Sequence, residues 1–147
     1  MKKLTLVILL MMVFPFSALG EIKEGDCRLK EGSFFDKDVF TVQLGDKIKG
    51  TCKFFIDEFF GKKIINANIE ITNTADKPMS CQYYVAFFDK EGNLIGCAGQ
   101  GTFDEEGLAA GESTQLGSCL IPLPAGFHEK VIKYKVAFYE SDKQIGK

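Results

Sequence analysis

From Ile65 to Ile71 the chain alternates. Ile65, Ala67, Ile69 and Ile71 fall on one face and Asn66, Asn68 and Glu70 on the other. That two-residue period marks a strand with one wet face. Ile132, Tyr134, Val136 and Phe138 alternate with Lys133, Lys135 and Ala137 in the same way near the C-terminus. Cys81 to Phe88 is almost continuously apolar, as a strand covered on both faces would be. Asp89-Lys90-Glu91-Gly92-Asn93 supplies turn residues, and Leu94 to Phe103 returns as a Gly-rich strand, so the two form a hairpin. Two more strands are predicted over Lys47–Ile56 and Thr114–Leu123, the latter ended by Pro122 and Pro124. Residues 21–46 form an N-terminal extension whose segment Val39–Leu44 reads as an extra edge strand. Long amphipathic helical patterns, internal repeats and linkers are lacking beyond residue 20. Six or seven short strands separated by frequent turns predict an all-β fold, an antiparallel β-sandwich over residues 47–147.

The first twenty residues belong to another pattern. Lys2 and Lys3 precede an apolar run from Leu4 to Phe16, and Ala18-Leu19-Gly20 offers a small-residue exit ahead of Glu21. This reads as a secretory signal peptide, residues 1–20, cut before Glu21. The run is shorter than the roughly 20 apolar residues that span a bilayer, and no later segment is membrane-length. The first cysteine, Cys27, follows Glu24-Gly25-Asp26, which is not a lipid-attachment site. The expected location is therefore the periplasm or the exterior. Removing the signal takes away two lysines and no acid, so 16 basic and 20 acidic residues leave a charge of −4. That balance lacks the basic footprint of nucleic-acid or anionic-membrane binding.

In an exported chain of this size, Cys27, Cys52, Cys81, Cys97 and Cys119 read first as a disulfide framework. The odd count leaves at least one without an intrachain partner. No Cys-x-x-Cys occurs, and the closest cysteines are 16 residues apart, so neither a thioredoxin-type nor a paired-ligand zinc motif is present. An alternative function, handling thiols or a metal through the unpaired cysteine, rests on that odd count.

Other candidate chemistry has a plainer reading. Asp89, Glu91 and Asn93 alternate like oxygen ligands, yet the spacing is not that of a calcium loop, and a turn needs the same residues. Asp104-Glu105-Glu106 reads as a solvated acidic loop. His128, the single histidine, lies in a turn with no nucleophile motif near it, so a hydrolase built on it is only a third hypothesis. No cofactor is expected. The fourteen Phe and four Tyr exceed what one small core comfortably hides. Phe54, Phe55, Phe59 and Phe60 are the candidate binding patch: strand neighbours point to opposite sides, so one of each pair can face the core, and the other is either covered by the N-terminal extension, the favoured reading, or exposed.

Ile69-Glu70-Ile71-Thr72-Asn73-Thr74, Val85 to Asn93, Leu108-Ala109-Ala110-Gly111-Glu112 and the final Val136-Ala137-Phe138-Tyr139 resemble the FxLYD-like group of bacterial Ig-like modules of exported proteins. The resemblance covers about half the chain. It implies an Ig-like β-sandwich and says little of function, because such folds host many roles. In an Ig-like strand order Cys97 and Cys119 sit on antiparallel strands toward the same end, which favours their pairing. Cys27 would then pair with Cys52 or Cys81. The function expected is that of a non-enzymatic binding module for a protein or cell-envelope component.

Overall fold

The computed structural model describes residues 19–102 and 106–142; the side chains of residue 19 and of residues 117–119 lie outside that description. The chain forms eight strands: β1 (Leu19–Asp26), β2 (Phe40–Leu44), β3 (Ile48–Phe59), β4 (Lys62–Asn73), β5 (Ser80–Phe88), β6 (Leu94–Gly101), β7 (Ser113–Pro122) and β8 (Lys133–Ser141). They build two antiparallel sheets, ordered β1-β8-β5-β6 and β2-β3-β4-β7, packed as a sandwich. One 3₁₀ turn, His128–Lys130, leads into β8. No described helix is long and apolar enough to cross a membrane. Most of the signal segment, and with it that part of the expectation, lies outside the described residues.

The alternating faces explain the layering. Ile65, Ala67, Ile69 and Ile71 of β4 meet Cys81, Tyr83, Val85 and Phe87 of β5, with Val136 and Phe138 of β8. Phe54 sits at the centre, with rings of Phe87 at 5.3 Å, Phe40 at 6.2 Å and Tyr134 at 6.3 Å. The N-terminal extension contributes two strands rather than one. β1 pairs with β8 from Lys133 to Glu140, although its sequence from Glu21 on, Glu-Ile-Lys-Glu-Gly-Asp, shows no apolar face. An edge strand that is only half covered tolerates this. Glu21 and Lys23 point inward and bond Gly45 N–H and the Gln43 carbonyl of the other sheet.

Between β1 and β2, residues 27–39 run beside β3. Ile56 N–H donates to Lys30 O, and Gly32 N–H to Ile56 O. The Lys53 ammonium reaches Phe34 O and lies over the Phe34 ring. This brings the segment across the outer face that Lys53 shares with Phe55. The predicted hairpin turn is present: Asp89 accepts hydrogen bonds from the N–H groups of Glu91 and Asn93 and from the Asn93 amide.

The two ends of the sandwich differ. At one, buried side chains tie the loops. The Glu140 carboxylate accepts from the N–H groups of Asp46, Lys47 and Ile48 at 2.5, 2.8 and 2.9 Å. The buried Asn73 amide donates to the carbonyls of Lys77, Leu108 and Ala109 and accepts from Ala75 N–H. The other end carries the β3–β4 hairpin, the β5–β6 turn and the β7–β8 loop.

Candidate functional site

The candidate aromatic patch divides in two. Phe54 is fully buried in the core, and Phe55 on the opposite face is 2% exposed because residues 27–39 cross that face. Neither belongs to a binding surface: Phe54 faces the core, and Phe55 takes the alternative to exposure, cover by the N-terminal extension. Phe59 and Phe60 remain exposed, at 49% and 89%, and their rings pack edge to face at 4.4 Å.

Their position is unusual. Phe59 pairs with Lys62, so Phe60-Gly61 alone makes the hairpin loop. Both residues have positive φ, 50° and 71°. That is the demand of a type I′ turn, which Asn-Gly or Gly-Gly satisfies best. A bulky L-residue in the left-handed region costs roughly 1 kcal/mol, and Phe60 is the only described non-glycine residue there. Its ring also has little of the protein to pack on. Beyond its edge contact with Phe59, folding gains little from phenylalanine at this site.

Phe127, Ile132 and Leu94 are exposed at the same end. Five of the nine exposed large apolar side chains among the described residues therefore gather there, and none occupies the hydrogen-bonded end. Beside the hairpin runs a groove of about 390 Å³, lined by Gly61, Lys62, Lys63, Leu123, Pro124, Ala125, Gly126 and His128. Lys63 bonds Glu31 at 2.8 Å, with Glu58 at 3.8 Å. This contact holds the Glu31 carboxyl below its usual range, with His128 a smaller contributor. Overall the end is close to neutral. Residues 26–38, 57–63, 89–91 and 129–133 hold nine acids and eight Lys or Arg.

The remaining candidates are not assembled into reactive sites. The described residues lining the groove beside His128 include no hydroxyl, thiol or carboxylate. The nearest carboxylate is that of Glu129, at 3.8 Å. Asp89 is engaged by its own turn. Asp104 and Glu105 lie outside the described residues, and Glu106 is exposed.

The cysteines correct the disulfide expectation. The described residues contain no disulfide: Cys27, Cys81 and Cys97 carry free thiols, and Cys52 is fully buried in the core. Cys27 N–H bonds Ile132 O, whereas Cys81 pairs with Glu140 eight residues further along β8. That is about 26 Å at the rise of a strand, against the roughly 4.4–6.8 Å between Cα atoms that a bond requires. Cys97 lies opposite Ala86 on the outer face of its sheet and is exposed. Cys119, whose side chain lies outside the described residues, pairs through its backbone with Ala67 of the other sheet. Level along the strand favoured the Cys97–Cys119 pair; the exposed, outward position of Cys97 opposes it.

Burial pushes the Cys27 thiol up to about 11, with the Asp26 charge adding to it. Burial, and then the Glu140 charge, push Cys81 up to about 12. Both hold their protons to higher pH when folded than when unfolded. Their contribution to stability is therefore complete below pH 9.0 and lost as pH rises through 11 and 12. Denaturant unfolding should show a plateau to about pH 9 and a fall above it. In the native protein at neutral pH, a thiol reagent should label Cys97 rapidly and Cys27, Cys52 and Cys81 only on unfolding. Rapid labelling of Cys27 or Cys81 would contradict the burial described.

No protein-family profile and no curated protein matches the chain. Among solved structures, the enzymatically active domain of bacteriophage CBA120 tailspike protein 4 is similar at a TM-score of 0.26 and 9% identity. The match covers 84% of this chain and 17% of that one.

Proposed function

We propose that this protein is an exported, non-enzymatic binding module of the cell envelope or exterior, and that it holds a protein partner through the aromatic end of its sandwich. The observation that carries this is Phe60, an exposed ring placed by a left-handed backbone at the tip of a two-residue loop. A strained backbone that leaves its ring almost wholly exposed, in contact with Phe59 alone among aromatic neighbours described, points to a role in what the ring touches outside the chain. The signal-like first twenty residues support the location, as does the resemblance to FxLYD-like modules of exported proteins. Near-neutral charge at this end disfavours an anionic membrane or nucleic acid and suits a protein surface.

The test is site-specific photocrosslinking in the producing cell. p-Benzoylphenylalanine in place of Phe60 should give a protein adduct after illumination, and the same group in place of exposed Glu70 should not. Absence of any adduct from position 60 would contradict the proposal.

A further inference from the structure

β6 pairs with β5 on one side only and ends the sheet order β1-β8-β5-β6. Just beyond it, Thr102 N–H donates to Cys81 O. Bonded pairs alternate along an antiparallel ladder, so Gln100, Ala98 and Gly96 turn their backbone groups to β5. Cys97 and Gly99 turn theirs away. Both are exposed, and no described group bonds their outward N–H or C=O. Open edges invite pairing, and proteins blunt them with charge, proline, short length or a bulge. Three of the four edges of this sandwich are blunted in these ways. β1 carries Glu21, Lys23, Glu24 and Asp26, and β2 has five residues. β7 ends at Pro122 and is irregular between its pairings with Ala67 and Ile69. From Gly96 to Gly101, β6 keeps a regular register with neither charge nor proline. We infer that this edge takes an extended segment of another polypeptide as a fifth strand of its sheet.

The chemistry of the edge selects its occupant. The outward groups of Cys97 and Gly99 are two residues apart, about 6.6 Å at the rise of a strand. An extended backbone presents N–H and C=O in matching alternation at that spacing; a sugar, a lipid or a nucleic acid does not. The surroundings are uncharged. Ala86 lies beside Cys97, and the Tyr84 ring lies over Gly99, where an added Cβ would meet its Cδ1 at 2.3 Å. Incoming side chains on this face meet half-exposed Tyr84 and small neighbours, which suits apolar residues. On the other face β7 comes close, an added Cβ at Gly96 falling 2.6 Å from Ile121 Cγ2, so small side chains fit there. The edge is a second contact surface and does not depend on Phe60. Exposed Leu94, at the start of β6, makes it continuous with the aromatic end.

Two measurements test this together. In the purified, cell-processed protein, the amides of Cys97 and Gly99 should exchange with solvent about a hundredfold faster than those of Ala98 and Gln100. In the producing cell, p-benzoylphenylalanine in place of Leu94 should give an adduct with another protein. Cys97→Pro deletes an outward N–H and leaves the bonds to β5 in place. It should lower that adduct about tenfold while Cys97→Ser keeps it, because only proline removes the donor. Should the proline variant fail to fold, Cys97→Lys puts a charge on the same edge and should lower the adduct equally. No adduct from position 94 overturns the inference, as does an adduct as strong in Cys97→Pro as in the wild type. An adduct between two copies of this chain also overturns it, and so do slowly exchanging Cys97 and Gly99 amides in the free protein. Each of these outcomes leaves the position-60 crosslink, and with it the proposed function, to stand or fall separately.

Discussion

Truncating Phe54 to alanine is expected to cost about 3 to 5 kcal/mol, the range for an aromatic ring removed from a packed interior. Three rings surround Phe54: Phe87, Phe40 and Tyr134. They come from both sheets, so the cavity cannot close by moving one strand. A domain of this size has only about 5 to 15 kcal/mol in hand, and the variant should unfold at a markedly lower urea concentration. Phe60→Asn is expected to go the other way and stabilise by about 0.5 to 1 kcal/mol, because an Asn-Gly loop relieves the left-handed strain. These two phenylalanines lie six residues apart on one hairpin. Opposite signs in equilibrium unfolding would establish that one serves the fold and the other does not. A loss of several kcal/mol at both would show that the tip is core.

Glu140→Gln is expected to cost about 2 to 3 kcal/mol. The buried carboxylate receives three backbone N–H groups from the β2–β3 turn. Glutamine offers one oxygen in place of two, and its NH₂ group then faces a donor. At least one N–H is left buried without an acceptor, and hydrogen bonds to a charged group become hydrogen bonds to a neutral one. Exposed Glu112 makes a comparable bond to Ala109 N–H in solvent. The same change there should stay within about 0.5 kcal/mol. Equal effects at the two positions in urea unfolding would contradict this account of the turn.

The strands were legible from their apolar periods, but two faces were misread: Asn66 and Asn68, on the expected wet face of β4, are buried, and β5, expected to be covered on both faces, exposes Tyr84. Ile65 to Ile71, Cys81 to Phe88 and Lys133 to Phe138 all lie within observed strands. β1 was not legible, because Glu21, Lys23 and Glu24 give no apolar period; its place depends on β8 and on charged contacts across the sheet edges. The fate of Phe55 was open in the sequence, between exposure and cover by the N-terminal extension, and which residues cover it was hidden. Its cover comes from a segment some twenty residues earlier, and long-range coverage leaves no local pattern. The tip was half visible. Gly61 between two alternating runs marks a hairpin, and placing the loop at Phe60-Gly61 would have put Phe60 outside at once. Leu94, Phe127 and Ile132 joined it only through the topology. Glu140 gave no signal, because a carboxylate at a strand end looks solvated until the turn opposite it is known.

The most direct test of the binding surface is capture from envelope extract by immobilised Phe60→Asn protein beside immobilised wild type, with both shown to be folded by their unfolding curves. The account predicts that the variant is at least as stable as the wild type and retains a tenth or less of the captured partner. Equal capture by the two proteins would contradict it.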